Sequence, residues 1–211
     1  MDAPATPSGI APKRSARGGS WLRSVLVYGL ALAVGVGSAI GFLKTMPAFG
    51  QGQGPWRASM LAGSQDADLY TRAQVAIGGL LALNRSETMY YLARTDSQGD
   101  DLRSRCTYRI HGTPPKARWW SITAYAEDIF LFPNEQRRYS LNGDNAALDA
   151  QGRFNMVTAP SQPASAPGTW VPTPGDRGLI LTLRLYNPDA AMASDPGQLL
   201  QPRIERVGDC P

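Results

Sequence analysis

The stretch GLILTLRLY (Gly178–Tyr186) decides the fold class. Leu179, Leu181, Leu183 and Leu185 alternate with Ile180, Thr182, Arg184 and Tyr186. Successive side chains of a strand point to opposite faces, so this segment reads as a strand with an all-leucine core face and a mixed outer face.

Working outward, the same period of two recurs on both sides. Thr88–Thr95 is a strand, Thr95–Asp101 a turn, and Arg105–His111 a second strand that Gly112-Thr113-Pro114-Pro115 breaks. Arg118–Tyr125 is a third, Arg137–Leu141 and Arg153–Thr158 are shorter ones, and Arg203–Val207 closes the set. Pro160–Pro174, rich in Pro, Ser and Ala around Trp170, reads as an ordered surface loop. The chain holds 22 Gly and 17 Pro, more than a helical bundle uses and enough for many turns. Many short strands between Gly, Pro and Asn turns predict a mainly β fold, a jelly-roll-like antiparallel β-sandwich over residues 65–211. One packed helix precedes the strands. Asp66 or Asp68 caps it, and Leu69, Ala73, Ala76/Ile77, Leu80 and Leu83 give it helical spacing through Asn84. Gly78-Gly79 inside it marks close packing on a sheet or a costly pair in an ordinary amphipathic helix, the latter being preferred.

The N-terminal part has another character. Residues 1–20 are small, polar and Pro/Gly-rich, and read as a disordered cytoplasmic arm. Ser24–Leu43 contains 20 residues without a charge, flanked by Trp21 and Arg23 on one side and Phe42 and Lys44 on the other. About 20 apolar residues at 1.5 Å each cross a hydrocarbon core, so residues 21–44 read as a transmembrane helix in an inner membrane. A cleaved signal peptide is the rival, but its apolar region is shorter and followed by a small-x-small site, and Thr45–Gly50 offers none. Lys13, Arg14, Arg17 and Arg23 precede the span, whereas only Lys44 and Arg57 follow closely, which puts the N-terminus in the cytoplasm and the remainder in the periplasm. Residues 45–64 read as a linker. Gly29, Ala33, Gly37 and Gly41 recur every four residues, a stripe that suits self-association or a membrane-protein partner, or that reflects only the frequency of small residues in such helices.

Charge and cysteines agree with that address. The net charge is +4, yet residues 58–211 hold 15 Lys/Arg against 16 Asp/Glu, so the basic excess surrounds the span and no nucleic-acid partner is implied. Cys106 and Cys210 are the two cysteines; outside the cytoplasm a pair is most simply one disulfide.

The strand Trp119-Trp120-Ser121-Ile122-Thr123-Ala124-Tyr125 resembles the "W-S-L-T-x-Y" strand of the bacterial domain-of-unknown-function family numbered 1214. Phe130-Leu131-Phe132-Pro133-Asn134 is similar to its "F-L-x-x-N", Arg138-Tyr139-Ser140-Leu141 to "R-Y-S-I", and Gly168-Thr169-Trp170-Val171-Pro172 to "x-N-W-L-P". Leu183–Pro188 is similar to "L-R-x-Y-x-P", and Gln201–Ile204 resembles the closing "P-x-I/V". The resemblance implies a jelly-roll sandwich in a short, membrane-anchored member without the 1254-type domain that precedes it in longer relatives. It implies no catalytic residues.

No nucleophile elbow, zinc-protease helix, phosphate loop or dinucleotide fingerprint is present, and no cofactor or metal is expected. His111, the single histidine, reads as an exposed strand-end residue. Glu127, Asp128 and Glu135 cluster in one loop, where they act as acid/base carboxylates on a sugar, as calcium ligands, or as a solvated turn, the last being favoured. Asp96, Asp100 and Asp101 are explained by turn chemistry. Arg109, Arg118, Arg138 and Arg184 accompany Trp119, Trp120, Tyr125, Tyr139 and Tyr186 on the strands. Arg138 and Arg184 are structural, or they line a cleft for an anionic or sugar-like ligand with Trp120 or Trp170 stacking on it. Two functions follow. The first is a non-enzymatic envelope protein with a binding or assembly role, such as a subunit of a membrane complex. The second is an anchored enzyme or binder for a carbohydrate- or phosphate-containing envelope ligand, using Arg138, Arg184, Trp170, Glu127 and Asp128.

Overall fold

The leucine-faced strand, β8 (Leu179–Pro188), is the middle of a five-stranded sheet in the computed structural model of the protein, which describes residues 18–45, 50, 54–58, 63–77, 83–164, 169–208 and 210. The sheet runs β1 (Trp56–Ala58), β2 (Thr88–Ala93), β8, β4 (Ala117–Ala126), β5 (Ser140–Asn142), with antiparallel neighbours throughout. A second sheet runs β7 (Trp170–Pro172), β6 (Phe154–Ala159), β3 (Tyr108–Gly112), β9 (Arg203–Arg206). Most connections pass from one sheet to the other, and both sheets supply one core: Leu181, Leu183, Leu185, Ile122 and Tyr91 from the first, Tyr108, Ile110, Phe154, Met156 and Ile204 from the second. Trp120 meets Phe154 with ring centroids 4.8 Å apart.

The leucines of β8 are fully buried, as their spacing predicts, because the strand pairs on both edges and gives one whole face to the core. Three differences from the sequence reading have physical causes. β7 lies parallel to β6, with Val157 opposite Trp170 and Ala159 opposite Pro172, so the second sheet is mixed rather than antiparallel; a ten-residue connection is long enough to return the chain to the same direction, as a tight hairpin is not. Within the segment read as a linker, Trp56 and Ala58 are buried in β1. The Trp56 indole donates to the Pro202 carbonyl at 2.7 Å, a bond 146 residues distant in sequence that no local pattern announces. Arg137 leaves the strand assigned to it: its backbone is left-handed (φ 51°), and pairing begins only at Ser140.

The helix α2 spans Leu69–Ile77, and Asp68 caps it by accepting from the Tyr70 and Thr71 amides at 2.8 and 2.9 Å. None of its residues is buried, so it is not the packed helix expected; its continuation over 78–82 lies outside the described residues. A short α3 (Ala190–Ser194), capped by Asp189, follows β8 and buries Met192. Cys106 and Cys210 stand at disulfide distance, with Cα atoms 4.6 Å apart.

The chain divides into two units, Met1–Met46 and Pro47–Pro211. The first holds helix α1 (Gly18–Thr45), which begins before the span read from the sequence; residues 1–17 of the arm lie outside the described residues. Its segment Trp21–Phe42 is long and apolar enough to cross a membrane.

Candidate functional site

The pleat of the five-stranded sheet places Tyr90 of β2, Thr182, Arg184 and Tyr186 of β8, and Trp119, Ser121, Thr123 and Tyr125 of β4 on the face opposite the leucine core. Register then sets the neighbours: Arg184 lies between Tyr90 and Ser121, and Tyr186 between Thr88 and Trp119. The half-buried Arg184 donates to Thr123 Oγ1 at 3.2 Å and to the Tyr125 hydroxyl at 2.9 Å. Its guanidinium carbon stands 5.4 Å from the Tyr125 ring centroid and 5.9 Å from that of Tyr90. All these partners are neutral, and among the described residues Arg184 forms no ion pair. Burial, followed by the Tyr186 phenol, raises the pKa of the Tyr90 hydroxyl, with Arg184 opposing. Trp119 packs on Tyr186 with centroids 5.3 Å apart and donates its indole hydrogen to Asp144 at 2.8 Å. Thr88, 2% exposed, has a buried hydroxyl with no hydrogen-bond partner among the described residues.

The other candidate residues do not join this face. Arg138 donates to the Trp170 carbonyl at 3.3 Å, linking the segment before β5 to β7 in the other sheet. Asn134 holds the same loop: its side-chain Oδ1 accepts from the Arg138 amide, and its Nδ2 donates to the Phe132 and Arg138 carbonyls. Trp170 is 6% exposed and donates its indole hydrogen to Ala159, so its ring belongs to the interior rather than to a stacking platform. Trp120 is likewise a core residue at 5% exposure.

Asp128 pairs with Arg177, whose hydrogen bond holds the Asp128 carboxyl below its ordinary pKa. The Glu127 carboxylate lies over Gly178, where an added Cβ would come within 2.6 Å of Oε2. The two acids thus turn to different partners, and among the described residues no three His, Cys, Asp or Glu side chains gather around a point. His111 is half-buried, not exposed as expected: the second sheet brings its Nε2 to 3.3 Å from Glu205, which also binds Arg109 at 2.6 Å.

Residues 87–190, the segment that carries β2 to β8 and all of these contacts on Arg184, match the model of the family described as a protein of unknown function, DUF1214. That segment belongs to the DUF1214 family. The crystal structure of the VPA0106 protein from Vibrio parahaemolyticus superposes with a TM-score of 0.58 at 20% identity, over 93% of this chain and 48% of that one. The chain thus spans about half the length of the Vibrio protein, and the likeness is one of fold. A putative uncharacterized protein from Burkholderia cenocepacia matches with a TM-score of 0.38 at 19% identity, over 57% of this chain and 29% of that one. No curated protein matches the sequence.

Within the DUF1214 segment, the motifs sort by role. Phe132, Asn134, Arg138 and Trp170 build and pin the loops, whereas Arg184, Tyr186 and Tyr125 stand on the outer face. Tyr90 was the residue that sequence reasoning missed; only the pairing of β2 with β8 brings it beside Arg184.

Proposed function

We propose that this DUF1214 protein is a single-span inner-membrane protein whose β domain faces the periplasm and works by binding rather than by chemistry. The positive residues before the span favour that orientation, and the cysteine pair at disulfide distance favours an oxidising compartment. The repeated crossing of the chain between the two sheets supports a jelly-roll character for the domain. The observation that carries the reading is Arg184: a half-buried cation with neutral partners, on a face lined by phenols. Leaving such a charge uncompensated costs free energy that a bound anion recovers.

The test is gentle detergent extraction of the native protein, followed by mass spectrometry of what accompanies it. A stoichiometric ligand or partner is expected; recovery of the protein alone at every detergent strength overturns the reading. The sequence feature that favours an assembly role is the stripe of Gly29, Ala33, Gly37 and Gly41. A small-residue flank allows a second helix to approach closely, whether from another copy or from a larger complex.

A further inference from the structure

We propose that the outer face of the five-stranded sheet is a binding site for a singly charged oxyanion, a carboxylate or a phosphodiester, held by Arg184 with Tyr90, Tyr125 and Tyr186 around it. The inference rests on the binding role proposed above and names the ligand chemistry.

A guanidinium has five N–H donors in a planar fork that matches the paired oxygens of such a group. Two contacts, to Thr123 and Tyr125, hold the fork at one side and leave donors over. Those two contacts also orient it, since β4 supplies both acceptors from one face and β8 supplies the arginine. The structural Arg138 is spent on the Trp170 carbonyl of the other sheet rather than among phenols, and three further arginines are spent on carboxylates. Arg109 is paired with Glu205, Arg153 with Asp149 and Arg177 with Asp128.

The charge count sets the class. Across the strands Arg184 faces Tyr90 and Ser121, and along β8 it is flanked by Thr182 and Tyr186, all neutral. Among the described strand residues, Arg57 is a second cation on this face of the sheet and stands on β1, two strands away from Arg184. One guanidinium matches one negative charge, not a dianion. The Tyr125 and Tyr186 phenols supply hydroxyl groups for the oxyanion's remaining lone pairs, and the aromatic rings supply faces for the body that carries it. Half-burial makes each of these bonds stronger than on an open surface.

The test uses the full-length protein in a neutral detergent, titrated calorimetrically. Glucuronate offers the carboxylate and short-chain phosphatidylglycerol the phosphodiester; glucose and a short-chain diacylglycerol are their uncharged counterparts. Saturable binding of at least one anion is expected, with the arm that responds identifying a sugar acid or a lipid headgroup as the source. Arg184→Gln should weaken it by roughly 10- to 100-fold, the range for a lost charged hydrogen-bond set. Tyr125→Phe should weaken it by a few-fold, and Arg109→Gln on the other sheet should leave it unchanged. Arg184→Lys keeps the charge but loses the fork, and should fall between the wild type and Arg184→Gln. Circular dichroism on each variant separates lost binding from lost fold. If Arg184→Gln does not fold, unchanged affinity in both Arg184→Lys and Tyr125→Phe overturns the site. Absence of binding by both anions, or equal binding of the uncharged counterparts, overturns the ligand class. Either result leaves the broader binding role standing if extraction recovers a partner, so the two failures are distinguishable.

Discussion

At the scale of single residues, the motifs of this chain separate by what their side chains touch. Asn134 is a loop residue whose side chain makes hydrogen bonds to the Arg138 amide and to two carbonyls, at 2.9 to 3.3 Å. Removing it strands those backbone groups, and Asn134→Ala should destabilise the domain by about 1–3 kcal/mol, read from the urea midpoint. Glu205 gives a pH prediction. The Arg109 hydrogen bond, and after it the contact with His111, holds the Glu205 carboxyl below its ordinary pKa. A group whose pKa is depressed in the folded state stabilises the fold above its unfolded pKa, and that contribution is lost as pH falls through the folded one. Glu205→Gln should therefore be less stable than the wild type at neutral pH, with the gap closing below about pH 4. A constant gap between pH 7 and pH 3 contradicts this. The sequence marked Arg138 and Arg184 equally, because residue type and strand context are the same for both. What tells them apart is their partners, a backbone carbonyl against a set of phenols, and partners arise from sheet pairing.

At the scale of elements, legibility followed the number of buried residues in a row. β8 and β4 each run for ten residues, five of them buried in a row, and both were legible to within a few positions. β1 has three residues among glycines, too few to show a period, although it buries Trp56 completely. Its stability comes from distant partners, the Pro202 carbonyl and the register with β2. Trp56→Ala should cost about 3–5 kcal/mol, the range for deleting a large buried side chain, far more than a linker residue would. Melting the variant beside Arg57→Ala, an exposed neighbour on the same strand, gives the comparison. Helix α1 shows the opposite case: its composition alone announces it, yet what its small residues face is a question for the membrane. Leucine at both Gly37 and Gly41 breaks the small-residue stripe and should abolish co-purification of a second helix while leaving the β domain's melting curve unaltered.

At the scale of the whole molecule, the question is what closes the fold. β9 is the last strand and pairs only with β3, so four residues of ladder hold the C-terminal segment on that side. Further ties hold it, among them the bonds of Ser97 with the Ile204 backbone, the Trp56 indole on the Pro202 carbonyl, and the Cys106–Cys210 pair, 104 residues apart. The pairing itself was legible because the sequence has only two cysteines; that it anchors a strand beside β3 was not, since that follows from the order β7-β6-β3-β9. A cross-link closing about 100 residues removes unfolded-state freedom worth roughly 4–5 kcal/mol in the chain-entropy account. Non-reducing mass mapping should join the Cys106 and Cys210 peptides. Cys210→Ser should then lower the stability of the domain by up to about that amount, while β9 stays paired, because Ile204 remains in the core and Pro202 still accepts from Trp56. Amide exchange distinguishes the outcomes. Protection lost across all strands together means that the cross-link acts on the unfolded chain, whereas protection lost only over 203–206 means that it is a local clamp on β9. The first is expected, since the reduced domain keeps every hydrogen bond of the two sheets and loses only the closure of its longest loop.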